Sequence, residues 1–204
     1  MKRLAKSEKA QETKKSILQA TAHILIKNGL DKVSTNLIAE KAGVSIGSLY
    51  QYYKNKEDIY EDLLLQLVEK RQQRIRASLD LRVVSDSIPT SVKKVVDAIF
   101  EADDFDIRLE SILVPLLSSN LGKKKLLQKV NSLELFLKPI LKTLFAVKNP
   151  KLLKRDLDVV VFVLINSMRG VLLGTSLMND QNHSKDKLKT ELNFLILSYL
   201  EAMG

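Results

Sequence analysis

Apolar positions recur along this chain three and four residues apart, and that spacing predicts a series of helices. From Thr13, the positions Ile17, Ala20, Ile24 and Leu25 form one face, and Asn28-Gly29 ends the helix. Leu30 and Val33 follow as apolar contacts for the next two helices. Ile38, Ala39 and Ala42 mark a short second helix, with Ser34 or Thr35 as its cap. Gly43 stands where left-handed backbone costs least, Val44 is an apolar peg, and Ser45 is a second cap candidate. A third helix over 46–53 is too short to stand alone. Leu49 and Tyr53, four apart, face inward, which leaves Ile46, Gly47, Ser48, Gln51 and Tyr52 outward. A short exposed helix with small, amide and phenol groups, held by a companion helix, suits a DNA major groove.

The pattern continues to the C-terminus. Asn55 caps a long helix from near Lys56, with Glu57 and Asp58 at its positive end and Ile59, Leu63, Leu67 and Val68 along its inner stripe. Turn formers around Pro89, over 85–91, predict a break. Val92, Val95, Val96, Ile99 and Phe100 predict an amphipathic helix, and Arg108 opens a short one with Pro115 near its end. The acidic run Glu101, Asp103, Asp104 and Asp106 lacks the spacing and the glycine of a calcium loop and reads as a solvated linker. A long helix over 123–146 contains Pro139, which predicts a kink or a local opening of its ladder. Near the C-terminus, Leu157, Val161, Leu164, Met168, Val171 and Thr175 form a heptad-like seam, and Leu188, Leu192, Leu195 and Tyr199 form another. Such seams pack either within one subunit or against the same pair from a second copy.

Composition narrows the chemistry. With no cysteine there is no disulfide frame, zinc finger or thiol nucleophile, and two histidines give a thin supply of metal ligands. No metal site and no cofactor is expected. A net charge of +9 favours a polyanionic partner. Residues 1–15 carry six basic groups against two acids, and this basic arm is either a solvated tail or a phosphate contact. The apolar stretch over 159–178 is interrupted by Asn166, Arg169 and Thr175, so it reads as a buried helix rather than a membrane span. The N-terminus lacks the apolar run of a secretory signal, and the expected location is cytoplasmic. Without a Gly-rich phosphate loop or a Ser/His/Asp arrangement, an enzyme is not expected.

The residues from Thr35 to Lys56 resemble the helix-turn-helix signature of the TetR-type (tetracycline-repressor-like) bacterial regulators. The matching positions are Thr35, Ile38-Ala39, Ala42-Gly43-Val44-Ser45, Gly47, Leu49-Tyr50, Tyr52-Tyr53 and Asn55-Lys56. Ile17-Leu18, Ala20 and Asn28-Gly29-Leu30 match upstream, so the likeness covers about residues 10–65. It implies an all-α fold: an N-terminal three-helix DNA-binding domain over 10–67, joined by a long helix to a helical ligand-binding and dimerisation domain over 68–204. The implied function is that of a homodimeric bacterial repressor that binds a palindromic operator in double-stranded DNA and is released by a small-molecule effector, with an apolar one preferred. The alternative is a DNA-bound adaptor or coactivator whose body binds a protein.

The resemblance also implies roles for particular residues. Tyr50, Tyr52 and Lys56 sit where the family grips phosphate, and Thr35 and Ser45 can offer a hydroxyl or N–H at helix starts. Asn36, Ile46, Ser48 and Gln51 are the base-reading candidates, and Gly47 permits close approach to the groove floor. Candidate pocket residues are Phe100, Phe105, Leu113, Phe136, Ile140 and Phe162, with Glu110, Asn131, Asn166 and Arg169 as orienting groups. The dimer interface is expected on the two C-terminal seams.

Overall fold

The structure, a computed structural model, describes residues 2–78, 86–101, 103–117, 124–148, 150–177 and 183–202. Among them are nine α-helices: α1 (Lys2–Asn28), α2 (Thr35–Ala42), α3 (Ile46–Tyr52), α4 (Lys56–Ser78), α5 (Ile88–Phe100), α6 (Asp104–Leu117), α7 (Lys124–Lys148), α8 (Leu157–Leu177) and α9 (Lys185–Glu201). No strand occurs among the described residues. Packing separates two units, Met1–Leu67 with Asp104–Asn120, and Val68–Asp103 with Leu121–Gly204. Residues 68–204 therefore do not form one body, because α6 packs on α1 in the first unit.

In the first unit, α1 buries Ile17, Leu18, Ile24 and Leu25 against α2 and α6. Leu109, Leu113 and Val114 are buried positions of α6. The basic segment 2–15 is not a loose arm, since it forms the first turns of α1. Gly29, just past the end of α1, has φ 78° and ψ 172°, a positive-φ conformation that glycine adopts without strain.

In the second unit, α5 packs on α9, and α7 packs on α8. Ser87 caps α5 through Thr90 N–H (3.2 Å), so Pro89 sits in the first helical turn, where it has no amide hydrogen to lose. The expected break therefore lies before Ser87; Ser85 lies outside the described residues. Helix α6 continues through Pro115, and α7 through Pro139. Two carboxylates link neighbouring helices. Asp97 of α5 pairs with Lys93 (2.6 Å) and with Lys189 of α9 (3.2 Å). Asp158 of α8 pairs with Lys138 (2.8 Å) and Lys142 (2.6 Å) of α7.

The C-terminal seams need correction. Val161, Leu164, Met168 and Leu192 are buried in the core of their own subunit, together with Val160, Ile165, Ile196 and Leu200. Leu157, Val171, Leu188 and Tyr199 are half-buried against that core, and Thr175, also half-buried, donates to Leu172 O (2.8 Å). Of the ten seam positions only Leu195 is exposed. The reason is geometric: each helix has two apolar faces, and the heptad-spaced one turns inward. The opposite faces leave Val159, Phe162 and Val163 on α8, and Phe194 and Leu195 on α9, in solvent. Helix α8 is thus not wholly buried. Its stretch Leu157–Thr175 has the length and mean hydropathy (1.8) of a membrane span, with 28% of it buried. One buried face and the hydrogen-bonded pair Asn166–Arg169 (3.0 Å) suit a core helix better.

Candidate nucleic-acid interface

The helix-turn-helix is built from local hydrogen bonds. Ser34, not Thr35, caps α2: its Oγ accepts from Leu37 N–H (3.2 Å). Gly43 ends α2 at φ 67° and ψ 31°, and its N–H donates to Glu40 O (3.1 Å). Val44 N–H reaches back to Ala39 O (3.0 Å), so the turn satisfies two of the helix's last carbonyls. Ser45 then caps α3 by accepting from Ser48 N–H (3.0 Å). Leu49 is fully buried beneath α3, and Tyr53 is buried just beyond its end. Asn55 caps α4 by accepting from Asp58 N–H (2.9 Å), while Asp58 accepts from Lys54 N–H (3.2 Å).

This frame sets the position of every predicted contact residue. Ile46 (39% exposed), Gly47, Tyr50 (51% exposed) and Gln51 form the solvent face of α3. Asn36 is exposed on the first turn of α2, and Tyr52 and Lys56 are half-buried where α3 gives way to α4. Thr35 Oγ1 and Tyr50 OH, fifteen residues apart, hydrogen-bond each other at 3.1 Å, so two predicted phosphate ligands converge on one point. Ser48 is half-buried, and its Oγ lies 2.8 Å from Ser45 Oγ, a hydroxyl–hydroxyl bond that adds to the cap.

A second cluster was not foreseen. Tyr53 OH donates to Asp62 Oδ2 (3.0 Å), Lys14 Nζ lies 3.6 Å from the same oxygen, and the Lys14 ammonium stands 5.3 Å over the Tyr53 ring. Together they tie the end of α3 to α1 and α4. Burial first, then the Asp62 charge and hydrogen bond, raises the Tyr53 phenol well above its ordinary range. Tyr60 is pushed up to about 12, by burial and then by Glu57. Sequence spacing gave no signal for this cluster, because Lys14, Tyr53 and Asp62 come from three elements.

The predicted pocket residues do not line one cavity. Phe105 packs on His23 at 5.2 Å and Leu113 is fully buried, both in the first unit, where Glu110 is half-buried. In the second unit, Phe100 is buried in the core, Phe136 lies under the Arg76 guanidinium at 5.2 Å, and Phe162 is 55% exposed. Asn166 and Arg169 bond each other. The side chain of Asn131 lies outside the described residues. Ile140 alone of the set borders a cavity of the second unit lined also by Ser91, Val95, Leu137, Leu144 and Met168. The others are spread over two units, with Phe162, Asn166 and Arg169 on one face of α8 away from that cavity, an arrangement that spacing along a helix does not reveal. Among the described residues no cluster of His, Cys, Asp or Glu could hold a metal.

Known proteins share this arrangement. The family described as bacterial regulatory proteins, tetR family, matches residues 17–63. The chain is 28% identical over 126 residues to the HTH-type transcriptional regulator BetI of Proteus mirabilis, covering 60% of this chain and 62% of that one. It is 37% identical over 71 residues to the HTH-type transcriptional regulator TtgR of Pseudomonas putida, covering 35% and 34%. The aligned stretches thus span between a third and just over three fifths of these relatives. A TetR transcription regulator from Haloarcula marismortui has the same fold, with a TM-score of 0.66 at 19% identity over 95% of this chain and 98% of that one. Residues 17–63 thus match the family described as bacterial regulatory proteins, tetR family, and over nearly the whole chain the fold is similar to that of the Haloarcula TetR transcription regulator.

Proposed function

We propose that the chain is a DNA-binding transcriptional regulator, not an enzyme, and acts as a homodimeric repressor that leaves a palindromic operator when a small molecule enters its second unit. The observation that carries this is the outward face of α3, where Ile46, Gly47, Tyr50 and Gln51 stand in solvent while Leu49 anchors the helix from below. In this reading Gln51 and Asn36 bond adenine edges, and Ile46 packs on a thymine methyl. Thr35, Tyr50, Tyr52 and Lys56 hold phosphates, and Ser45 offers its backbone N–H at the start of α3.

Two heads are needed to read a palindrome, about 34–36 Å apart. The apolar faces of α8 and α9, with Phe162 (55% exposed) and Phe194 (68% exposed), support pairing through a second copy. They replace the inward-turned seam as the proposed interface. The same patch favours the adaptor reading if the occupant is another protein. Light scattering at micromolar concentration separates the two: a stable dimer leaves the patch covered.

A gel shift on the chain's own upstream region, followed by binding-site selection, tests the DNA reading. Lys56→Ala is expected to weaken all sequences alike and to lower the salt slope by about 1. Indifference to duplexes of every sequence rejects the proposal.

A further inference from the structure

Helix α3 is seven residues long, too short to hold its own direction. Leu49 anchors its middle from below. Past Leu49, Tyr50 and Gln51 face solvent and Tyr52 is half-buried, so the next buried side chain is Tyr53, at the C-cap. The Tyr53 backbone N–H donates to Leu49 O at 3.0 Å. Its hydroxyl donates to Asp62 Oδ2 at 3.0 Å, nine residues on in α4, and that bond closes the corner between α3 and α4. The same carboxylate oxygen faces the Lys14 ammonium at 3.6 Å, and the ammonium stands 5.3 Å over the phenol ring. The phenol is therefore held at its hydroxyl by α4 and on its face by α1. Burial keeps it protonated well past neutral pH, so the donor is always present.

We infer that Asp62 is a positioning residue for base reading: through the Tyr53 hydroxyl it sets the last turn of α3, and with it the direction of Gln51, without itself touching DNA. The assignment rests on the DNA reading above. Apolar contact at Leu49 keeps α3 on its bed but is non-directional, so it does not fix how the helix is turned. A hydrogen bond to a carboxylate is directional and among the stronger ones. Gln51 would read an adenine through two bonds at once, so a small rotation of that turn loses both. Phosphate contacts carry no sequence information and are spared by the same rotation. Lys14 has the complementary part. A bare carboxylate on the helix that begins at Lys56 would repel phosphates, and the ammonium offsets its charge.

The test uses the full chain and two duplexes of equal length, one recovered by binding-site selection and one with its base order scrambled. Fluorescence anisotropy reads affinity, and hydrogen exchange of the α2 and α3 amides reads order without DNA. Tyr53→Phe keeps the ring and removes the bond, and Asp62→Ala removes the acceptor. Each is expected to weaken the selected duplex about ten-fold and the scrambled one by less than about two-fold. The two together are expected to cost no more than one alone, since they remove the same bond. Asp62→Asn, whose carboxamide oxygen still accepts from the phenol, is expected to recover most of the loss. In the free protein, Tyr53→Phe and Asp62→Ala are each expected to speed exchange at the last α3 amides about ten-fold and to leave α2 unchanged. Equal losses on both duplexes, additive losses in the pair, no recovery in Asp62→Asn, or unchanged α3 exchange overturns the assignment. If Tyr53→Phe does not fold, Asp62→Ala, at a partly exposed position, and its rescue by Asp62→Asn still decide. A wild type that ignores every duplex while α3 exchange responds sinks the regulator reading and leaves the hold on α3 standing. One that binds the selected duplex, with affinity and exchange unmoved by Tyr53→Phe, sinks this assignment alone.

Discussion

The two units of this chain are held together in different ways. In the first, short helices are set by hydrogen bonds that begin and end within a few residues: Ser34 to Leu37, Val44 to Ala39, Ser45 to Ser48 and Asn55 to Asp58. In the second, long helices rest on apolar contact between distant segments, and they leave large side chains in water and a cavity inside. A hydrogen-bonded turn has one geometry, so it can aim a helix. An apolar core of Leu, Ile and Val tolerates rearrangement at small cost, so it can receive a guest or a second copy.

The largest expected effect is at the α9 face. Phe194→Asp would place an unpaired carboxylate in the proposed apolar interface, and operator affinity should fall by at least about 100-fold, with monomers in light scattering. An unchanged dimer would remove that half of the contrast. Leu49→Ala should destabilise the first unit by about 2–5 kcal/mol while the unfolding transition of the second persists. A single shifted transition in calorimetry would mean the units do not unfold separately. Gln51→Ala should cost about 1–3 kcal/mol at one base pair per half-site, seen as relaxed preference there in site selection.

Gly43→Ala isolates the turn. Nothing lies within 4 Å of the added Cβ, so only the left-handed backbone at φ 67° resists, by about 1–2 kcal/mol in chemical denaturation. Asn at that position should recover part of the loss.

The smallest expected effects are on pH, and they have opposite signs in the two units. Tyr53 and Tyr60 have folded values above the ordinary phenol. Their contribution is full below about pH 10 and fades as pH rises toward the folded values. Tyr60→Phe should flatten that alkaline limb. Asp97 is held below the usual carboxylate range, by Lys93 first and Lys189 after it, and Asp158 by Lys138 and Lys142. Their contribution is present above the ordinary carboxylate value and is lost as pH falls through the folded one. Asp97→Asn should make the acid limb of thermal unfolding shallower.

The same contrast decided what could be read from sequence. Ser45, Gly43 and Leu49 announce their roles because cap, turn and anchor are local matters of residue type and spacing. The seam on α8 shows the limit. Period identifies Val161, Leu164 and Met168 as apolar partners of something, but not whether that something belongs to the same chain. Ser48 shows another limit: its outward register on α3 is legible, whereas the bond to Ser45 depends on a rotamer. Lys14, Tyr53 and Asp62 meet only after three elements have packed.

The bond between Thr35 and Tyr50 has a consequence for how the head meets a nucleic acid. One of the two hydroxyls already donates to the other, so the phenol ring is parked in one orientation before any ligand arrives. An incoming anionic oxygen can take the proton not committed to the pair without first freezing a loose side chain, and the entropy of docking is smaller for it. Removing the threonine hydroxyl would therefore slow association and soften recognition even if the tyrosine still touched its target.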